Sequence, residues 1–315
     1  MHWTRSISLR VFLCMKGLNL SQSESKMKAA RGTVYEAIMK SIEEIILENS
    51  NRGMNVIREH MEDGFCRKAA EEILKWQRGT VLLTTGFYVA GHGESDGPSG
   101  TLCVALALKK LGFRYVIVTD ETCMGYFELK GFEVVYLQPG DDDAVCRGLI
   151  DRYWPVGMIS IERCGRNIEG YYANMRNCSI TSHVAPADRL FELAYGKIPT
   201  IGIGDGGNEI GMGNVADTIS AELDIVPCRV RTDFLIIATV SNWGAFGLVA
   251  YLQQLTGMDL MPDAEDLEHY YRMGCVLRHV DGVTRECDAD TVDGIDRETE
   301  LELVEEMMGV ITEDK

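Results

Sequence analysis

Ile201-Gly202-Ile203-Gly204-Asp205-Gly206-Gly207-Asn208-Glu209 passes within nine residues from an apolar run into an acidic loop punctuated by glycine. The run does not alternate with polar residues, as expected of a strand buried on both faces. Glycine allows positive φ and lets the backbone approach a ligand closely. The same form occurs earlier, where Val81-Leu82-Leu83-Thr84 leads into Gly91-His92-Gly93-Glu94-Ser95-Asp96-Gly97-Pro98. Carboxylates and amides in such loops bind a metal, hold an amine or move a proton. A loop built only for phosphate would seldom carry this much negative charge.

Working outward, short apolar runs alternate with helical stretches from residue 79 onward. Strands are predicted at Val81–Thr84, Tyr115–Thr119, Val134–Leu137, Gly157–Ile161, Thr200–Ile203 and Phe234–Val240. Helices are predicted near 99–111, 124–131, 142–152, 187–195, 208–215 and 243–255, with two or three amphipathic ones over 33–77. Alternating β and α units imply a three-layer α/β/α fold with a mostly parallel sheet and an N-terminal helical segment. Ligands in such sheets bind beyond the carboxyl ends of the strands. Loops 85–100, 120–122, 162–167 and 205–214 would meet there. No Pro-, Gly- or Ser-rich linker marks a boundary near residue 257, so residues 32–312 read as a single domain.

The net charge of −17 is uneven: residues 263–315 carry seventeen Asp/Glu against five Lys/Arg. An acidic surface disfavours nucleic acid and anionic membranes. The ten cysteines form no C-x-x-C, which argues against zinc ribbons and for small buried side chains in a reducing compartment. The first 23 residues contain no acid but include Arg5, Arg10 and Lys16. Residues 1–31 therefore fit a mitochondrial transit peptide, the alternative being a disordered or untranslated leader in a cytoplasmic protein. Phe234–Leu252 lacks charge over nineteen positions, but Ser241-Asn242 interrupts it with a helix-start signal. A buried strand followed by a helix is expected there, not a membrane span.

Gly202-x-Gly204-x-x-Gly207 matches the dinucleotide fingerprint, yet Asp205 inside the turn would repel a pyrophosphate. The Gly204–Glu209 loop also resembles the acidic loop of haloacid-dehalogenase-type phosphatases, with Asp120-Glu121-Thr122 lacking the second aspartate of their nucleophile motif. Neither a Gly-x-Ser-x-Gly elbow nor a Walker loop is present. Arg163, Arg166 and Arg176 lie close together with Asn167, Asn174 and Asn177. Arginine forks suit a carboxylate ligand; internal pairing with Glu162 and Glu169 is the structural alternative.

Several of these stretches, in order, resemble the C-terminal domain of the D-glutamate cyclase family. They are Thr85-Gly86-Phe87, Gly93–Pro98, Val118-Thr119-Asp120-Glu121, Glu162–Arg166, Tyr172-x-Asn174-Met175-Arg176, Gly202–Asn214, Ser241–Gly244 and Asp281-Gly282-Val283-Thr284. The resemblance covers residues 34–312; some relatives add an N-terminal hydro-lyase-like domain. It implies a lyase, D-glutamate cyclase, that forms 5-oxo-D-proline and water when the α-amine attacks the γ-carboxyl. It further implies a mitochondrial matrix enzyme whose partner is a small molecule, D-glutamate, with a homo-oligomer as an open expectation.

That chemistry assigns catalysis to Glu94, Asp96, Asp205 and Glu209. Substrate binding falls to Arg163, Arg166, Asn174, Arg176, Gly206, Gly207, Asn208 and Asn242. A divalent metal, Mg or Mn, would sit on Asp120 and Glu121, or at Glu94 and Asp96. The rival readings are a non-catalytic glutamate-binding domain and a haloacid-dehalogenase-like phosphatase.

Overall fold

The computed structural model describes residues 40–128, 131–287 and 290–313. The predicted leader, residues 1–31, lies outside them. All elements belong to the compact unit that begins at Ile42.

Three helices come first: α1 (Ile42–Ile45), α2 (Met54–Arg58) and α3 (Phe65–Lys75). The apolar runs then form β1 (Thr80–Thr84), β4 (Arg114–Thr119), β5 (Val134–Tyr136), β6 (Pro155–Ile161), β7 (Thr200–Gly204) and β8 (Phe234–Ile237). They make one parallel sheet in the order β5-β4-β1-β6-β7-β8. β1 and β7 are buried at every residue, which explains their lack of alternation. Short strands β2 (Tyr88–Val89) and β3 (His92–Gly93) form a hairpin just after β1.

The chain moves from β1 outward to β5, then returns to the other side of β1 for β6, β7 and β8. The switch point therefore lies between β1 and β6, where an open parallel sheet leaves a crevice beyond its strand ends.

Helices α4 (Pro98–Lys110), α5 (Asp143–Tyr153), α6 (Asp188–Ala194), α7 (Ala216–Glu222) and α8 (Ser241–Thr256) connect and cover the strands. The uncharged stretch thus resolves into β8 and α8, with the strand ending at Ile237 rather than Val240. α8 is buried from Ser241 to Gln253, as expected of a helix apolar all round. It packs on α3, α4, β7 and the C-terminal helix α10 (Arg297–Glu313). No helix among the described residues is long and apolar enough to cross a membrane.

Two predicted helices are corrected. Near 124–131 the chain makes a 3₁₀ turn at Glu121–Cys123 and then bends, because Gly125 and Gly131 sit at φ +87° and +74°. At 208–215 Gly211 takes φ +106°, so helical structure begins only with a 3₁₀ turn at Met212–Val215. Beyond residue 257, α9 (Ala264–Val276) and α10 contribute Leu267, Tyr270, Leu303 and Met307 to the same core as β1 and α8. Hairpin β9 (Thr291–Val292)–β10 (Ile295–Asp296) precedes α10. Six of the nine described cysteines are buried and none is in a disulfide.

Candidate functional site

The acidic loops converge at the carboxyl ends of β1, β6, β7 and β8, around the switch point. Asp96, between the β2–β3 hairpin and α4, receives backbone N–H groups from Gly97, Ser241 and Asn242, each at 2.8 Å. The last two stand at the start of α8, where backbone N–H groups have no partner within the helix. Asn242 reciprocates: its Oδ1 accepts from Gly97 N (3.0 Å) and Gly100 N (2.7 Å) at the start of α4. Asp96 and Asn242 thus cap each other's helix. Such close approach requires Gly100, where a Cβ would stand 2.8 Å from that of Ala245.

Glu162 follows β6 at φ +44°, a left-handed conformation that costs a side-chain-bearing residue about 1 kcal/mol or more. Its Oε2 accepts from Ser241 Oγ at 2.6 Å. Asp205, after β7, accepts from Ser241 N (3.1 Å) and from Arg52 Nη2 (2.5 Å). The same arginine nitrogen also pairs with Asp293 and reaches Thr239 O. Glu209 folds back onto its own loop, accepting from Gly206 N at 2.9 Å and Gly207 N at 2.8 Å. Asp281 ties the 281–284 turn to the β9–β10 hairpin through the N–H groups of Val283, Thr284 and Gly294.

So many carboxyls in one dry place cannot all carry charge. Burial above all, then the field of Asp293 and Asp96, pushes Glu94 well above the usual carboxylate range. Burial and repulsion from Glu209 and Asp96 do the same to Glu162. Burial also raises Asp96, to about 8, against the N–H donors that favour its charged form. Asp205 rises by burial despite Arg52. Burial alone would lower Arg52, but Asp205 and Asp293 outweigh it and hold the guanidinium charged.

A cavity of about 520 Å³ opens over this cluster. Glu94, Glu162 and Glu209 face it together with Arg52, Arg176, Arg285, Asn174 and Asn208. Of the residues singled out in the sequence, Glu94, Glu209, Asn174, Arg176 and Asn208 therefore line one cavity. Asp96, Asp205, Gly206, Gly207 and Asn242 sit behind that lining. The Gly206 and Gly207 amides are engaged by Glu209, and Asn208 Nδ2 donates to Ala173 O (2.8 Å), leaving Asn208 Oδ1 without a protein partner.

Four expected site residues stand elsewhere. Arg163 is buried against Asp120 (2.5 Å) and the carbonyls of Gly86 and Ala185, so its fork is committed. Arg166 pairs with Asp188 and Glu192, each at 2.8 Å. Neither arginine takes the pairing with Glu162 or Glu169 weighed above. Asp120 pairs with Arg163 through one carboxylate oxygen and accepts from Thr122 with the other, so both are engaged within the fold. Glu121 is exposed in a different hollow with His92 and Thr122. Among the described residues, the carboxylates that come within metal-sharing distance are Asp96, Glu162 and Asp205, which offer oxygens within 4.8 Å of one another. Arg52 already shares Asp205, so a divalent ion there would compete with a fixed cation.

Sequence reading missed Arg52, Arg285 and Asp293, which come from segments distant in the chain. The Asp281–Thr284 stretch is a signal for the last two, since Arg285 follows it directly and Asp281 bonds to Gly294 N beside Asp293. A Cβ at Gly282 would overlap the Glu94 carboxylate.

Human mitochondrial D-glutamate cyclase is 32% identical over 210 residues, covering 55% of this chain. The chain spans about a third, 32%, of that relative's length. Among solved structures, an exopolyphosphatase-related protein from Bacteroides fragilis is 8% identical, with a TM-score of 0.40 over 77% of this chain and 56% of its own. At that distance the likeness says nothing about activity. The family model described as D-glutamate cyclase-like, C-terminal, matches residues 42–308, and the chain belongs to that family.

Proposed function

We propose that this chain cyclises D-glutamate to 5-oxo-D-proline, its α-amine attacking its own γ-carboxyl carbon with loss of water. The observation that carries the reading is the cavity itself: in a member of this family, buried acids and arginines face one another across a hollow at the switch point of the sheet.

The reaction has three requirements. The flexible diacid must be held folded, because proximity supplies much of the rate in an intramolecular attack. Arg176 and Arg285, both exposed at the cavity's edge, suit the α-carboxylate. The α-ammonium must lose a proton, and Glu209 is the lining carboxylate on the Asp205–Glu209 loop available to accept it. The γ-carboxyl must shed an oxygen as water, which needs a proton donor. Glu94 and Glu162, held neutral by burial, supply one. Asp96 and Asp205 act from behind, the first fixing the two helix starts and the second positioning Arg52.

A divalent ion on Asp96, Glu162 and Asp205 would polarise the γ-carboxyl in place of a proton. The same reading puts the protein in mitochondria, where the tagged full chain should co-localise with a matrix marker on imaging.

Purified protein incubated with D- and L-glutamate, with Mg²⁺, Mn²⁺ or a chelator, should form the lactam from the D-isomer. Absence of lactam under every condition would overturn the enzymatic reading; saturable binding without product would instead favour a glutamate-binding domain. Glu94→Gln should lower kcat by about 10²-fold or more, as removal of a proton donor does.

A further inference from the structure

The site takes a neutral γ-amide better than a free γ-carboxylate: we infer that γ-glutamyl amides of apolar amines are substrates of the same cavity, cyclised with release of the amine. This rests on the lactam-forming reading above and deepens it.

Two independent observations point there. The first is charge. Glu94, Glu162 and Glu209 face the cavity, backed by Asp96, Asp205 and Asp293, and the one arginine among them, Arg52, is already shared by two of these acids. Arg176 and Arg285 at the edge can receive one carboxylate. A second carboxylate at the floor would give up its water for a dry place where Arg52 is already shared by two acids. An amide brings no charge, and its carbonyl can still accept a proton from a neutral acid.

The second observation is the apolar part of the lining. Phe87, Val89 and Ile180 line the cavity beside Tyr88 and Met175. Phe87 and Ile180 belong to a small core with Tyr172 and Val184, separate from the main one, against which Tyr88 and Val89 pack. Tyr88 is further fixed by stacking on His183, with ring centroids 4.1 Å apart and planes 2° apart. At about 520 Å³ the hollow is of the size that takes drug-sized ligands, which are several times larger than glutamate. Glutamate offers this lining nothing apolar, whereas the amine half of a γ-amide would cover it.

The step balances without a co-reactant. The α-nitrogen bonds to the γ-carbon and the bond from that carbon to the amide nitrogen breaks. Two protons pass from the α-ammonium to the departing nitrogen, which leaves as an ammonium ion. Nothing is oxidised or reduced.

The purified full chain is assayed in parallel with D-glutamate, its γ-methylamide and its γ-benzylamide, following 5-oxo-D-proline and released amine. Both amides should yield lactam and amine in equal amounts. The benzylamide should exceed the methylamide in kcat/KM by at least about tenfold, the order a hydrophobic pocket extracts from an added apolar group. Val89→Asp should bring that ratio near one, and Val89→Ala should give an intermediate value, with folding checked by thermal melting. If D-glutamate is cyclised while neither amide reacts, or the ratio is near one in the unaltered chain, the inference fails and the parent reading stands. If none of the three yields lactam, both fall.

Discussion

Arg52 and Glu162 show how single residues set the character of the cavity. Arg52 Nη2 joins Asp205 to Asp293, two acids that are almost wholly buried. Removing one partner of a buried ion pair leaves an uncompensated charge and costs about 3–5 kcal/mol. Arg52→Leu is therefore expected to lower stability by that order in urea titrations at neutral pH; an unchanged midpoint would show the pairing to be dispensable. Glu162 behaves differently, because burial, reinforced by the acids around it, pushes its carboxyl well above the usual range. Glu162→Gln preserves the acceptor for Ser241 Oγ, so thermal stability should hold while lactam formation drops by about 10²-fold. A large fall in melting temperature would mean instead that the carboxyl is structural.

Helices α4 and α8 meet at the site through their first turns, each capped by a residue of the other's approach. Gly100 makes that meeting possible, with Ala245 and Asn242 closing over it. Gly100→Val would overpack the crossing, at a cost of about 1–3 kcal/mol, and should displace Asn242 from the Gly97 and Gly100 amides. The expected outcome is a lower melting temperature together with lost activity; full activity would show that the helix starts tolerate separation. Glycine also accounts for the two helices that sequence periodicity placed wrongly. Apolar spacing near 124–131 and 208–215 looks helical, but Gly125, Gly131 and Gly211 adopt φ values that a helix cannot accommodate.

At the scale of the whole molecule, α10 closes the core through one buried acid. Glu300 accepts from Trp243 Nε1 of α8 (3.1 Å) and bonds to the hydroxyl of Tyr271 of α9. Burial pushes its carboxyl from 4.5 up to about 7, with Tyr271, Trp243 and Arg297 acting in the other direction. A carboxyl whose folded pKa exceeds its unfolded value holds its proton more firmly when folded. Its contribution to stability is present at low pH, declines as pH rises from 4.5 toward about 7, and stays lost above that. The decline is on the order of 3 kcal/mol. Glu300→Gln should flatten this part of the pH–stability curve measured by chemical denaturation; an unaltered slope would assign the dependence to other groups.

The strands and the acidic loops were legible because they depend on local facts. A run such as Val81–Leu83 has no polar position to show to water, and the Gly204–Glu209 loop turns through Gly207 at φ +110°, which favours glycine. Alternation of such runs with helices makes a parallel sheet, and a parallel sheet puts its loops at one edge. Glu94, Asp205 and Glu209 could therefore be chosen from the chain alone. Ion-pair partners could not, because an arginine reads alike whether it faces a ligand or a buried aspartate. Tertiary packing committed Arg163 to Asp120 and Arg166 to Asp188, and brought Arg52, Arg285 and Asp293 to the cavity from segments remote in the sequence. The sequence by itself determined which strands are buried and where acidic loops must lie; only the tertiary structure decided which cations face those acids, since charge pairing depends on distance through space and on exclusion of water.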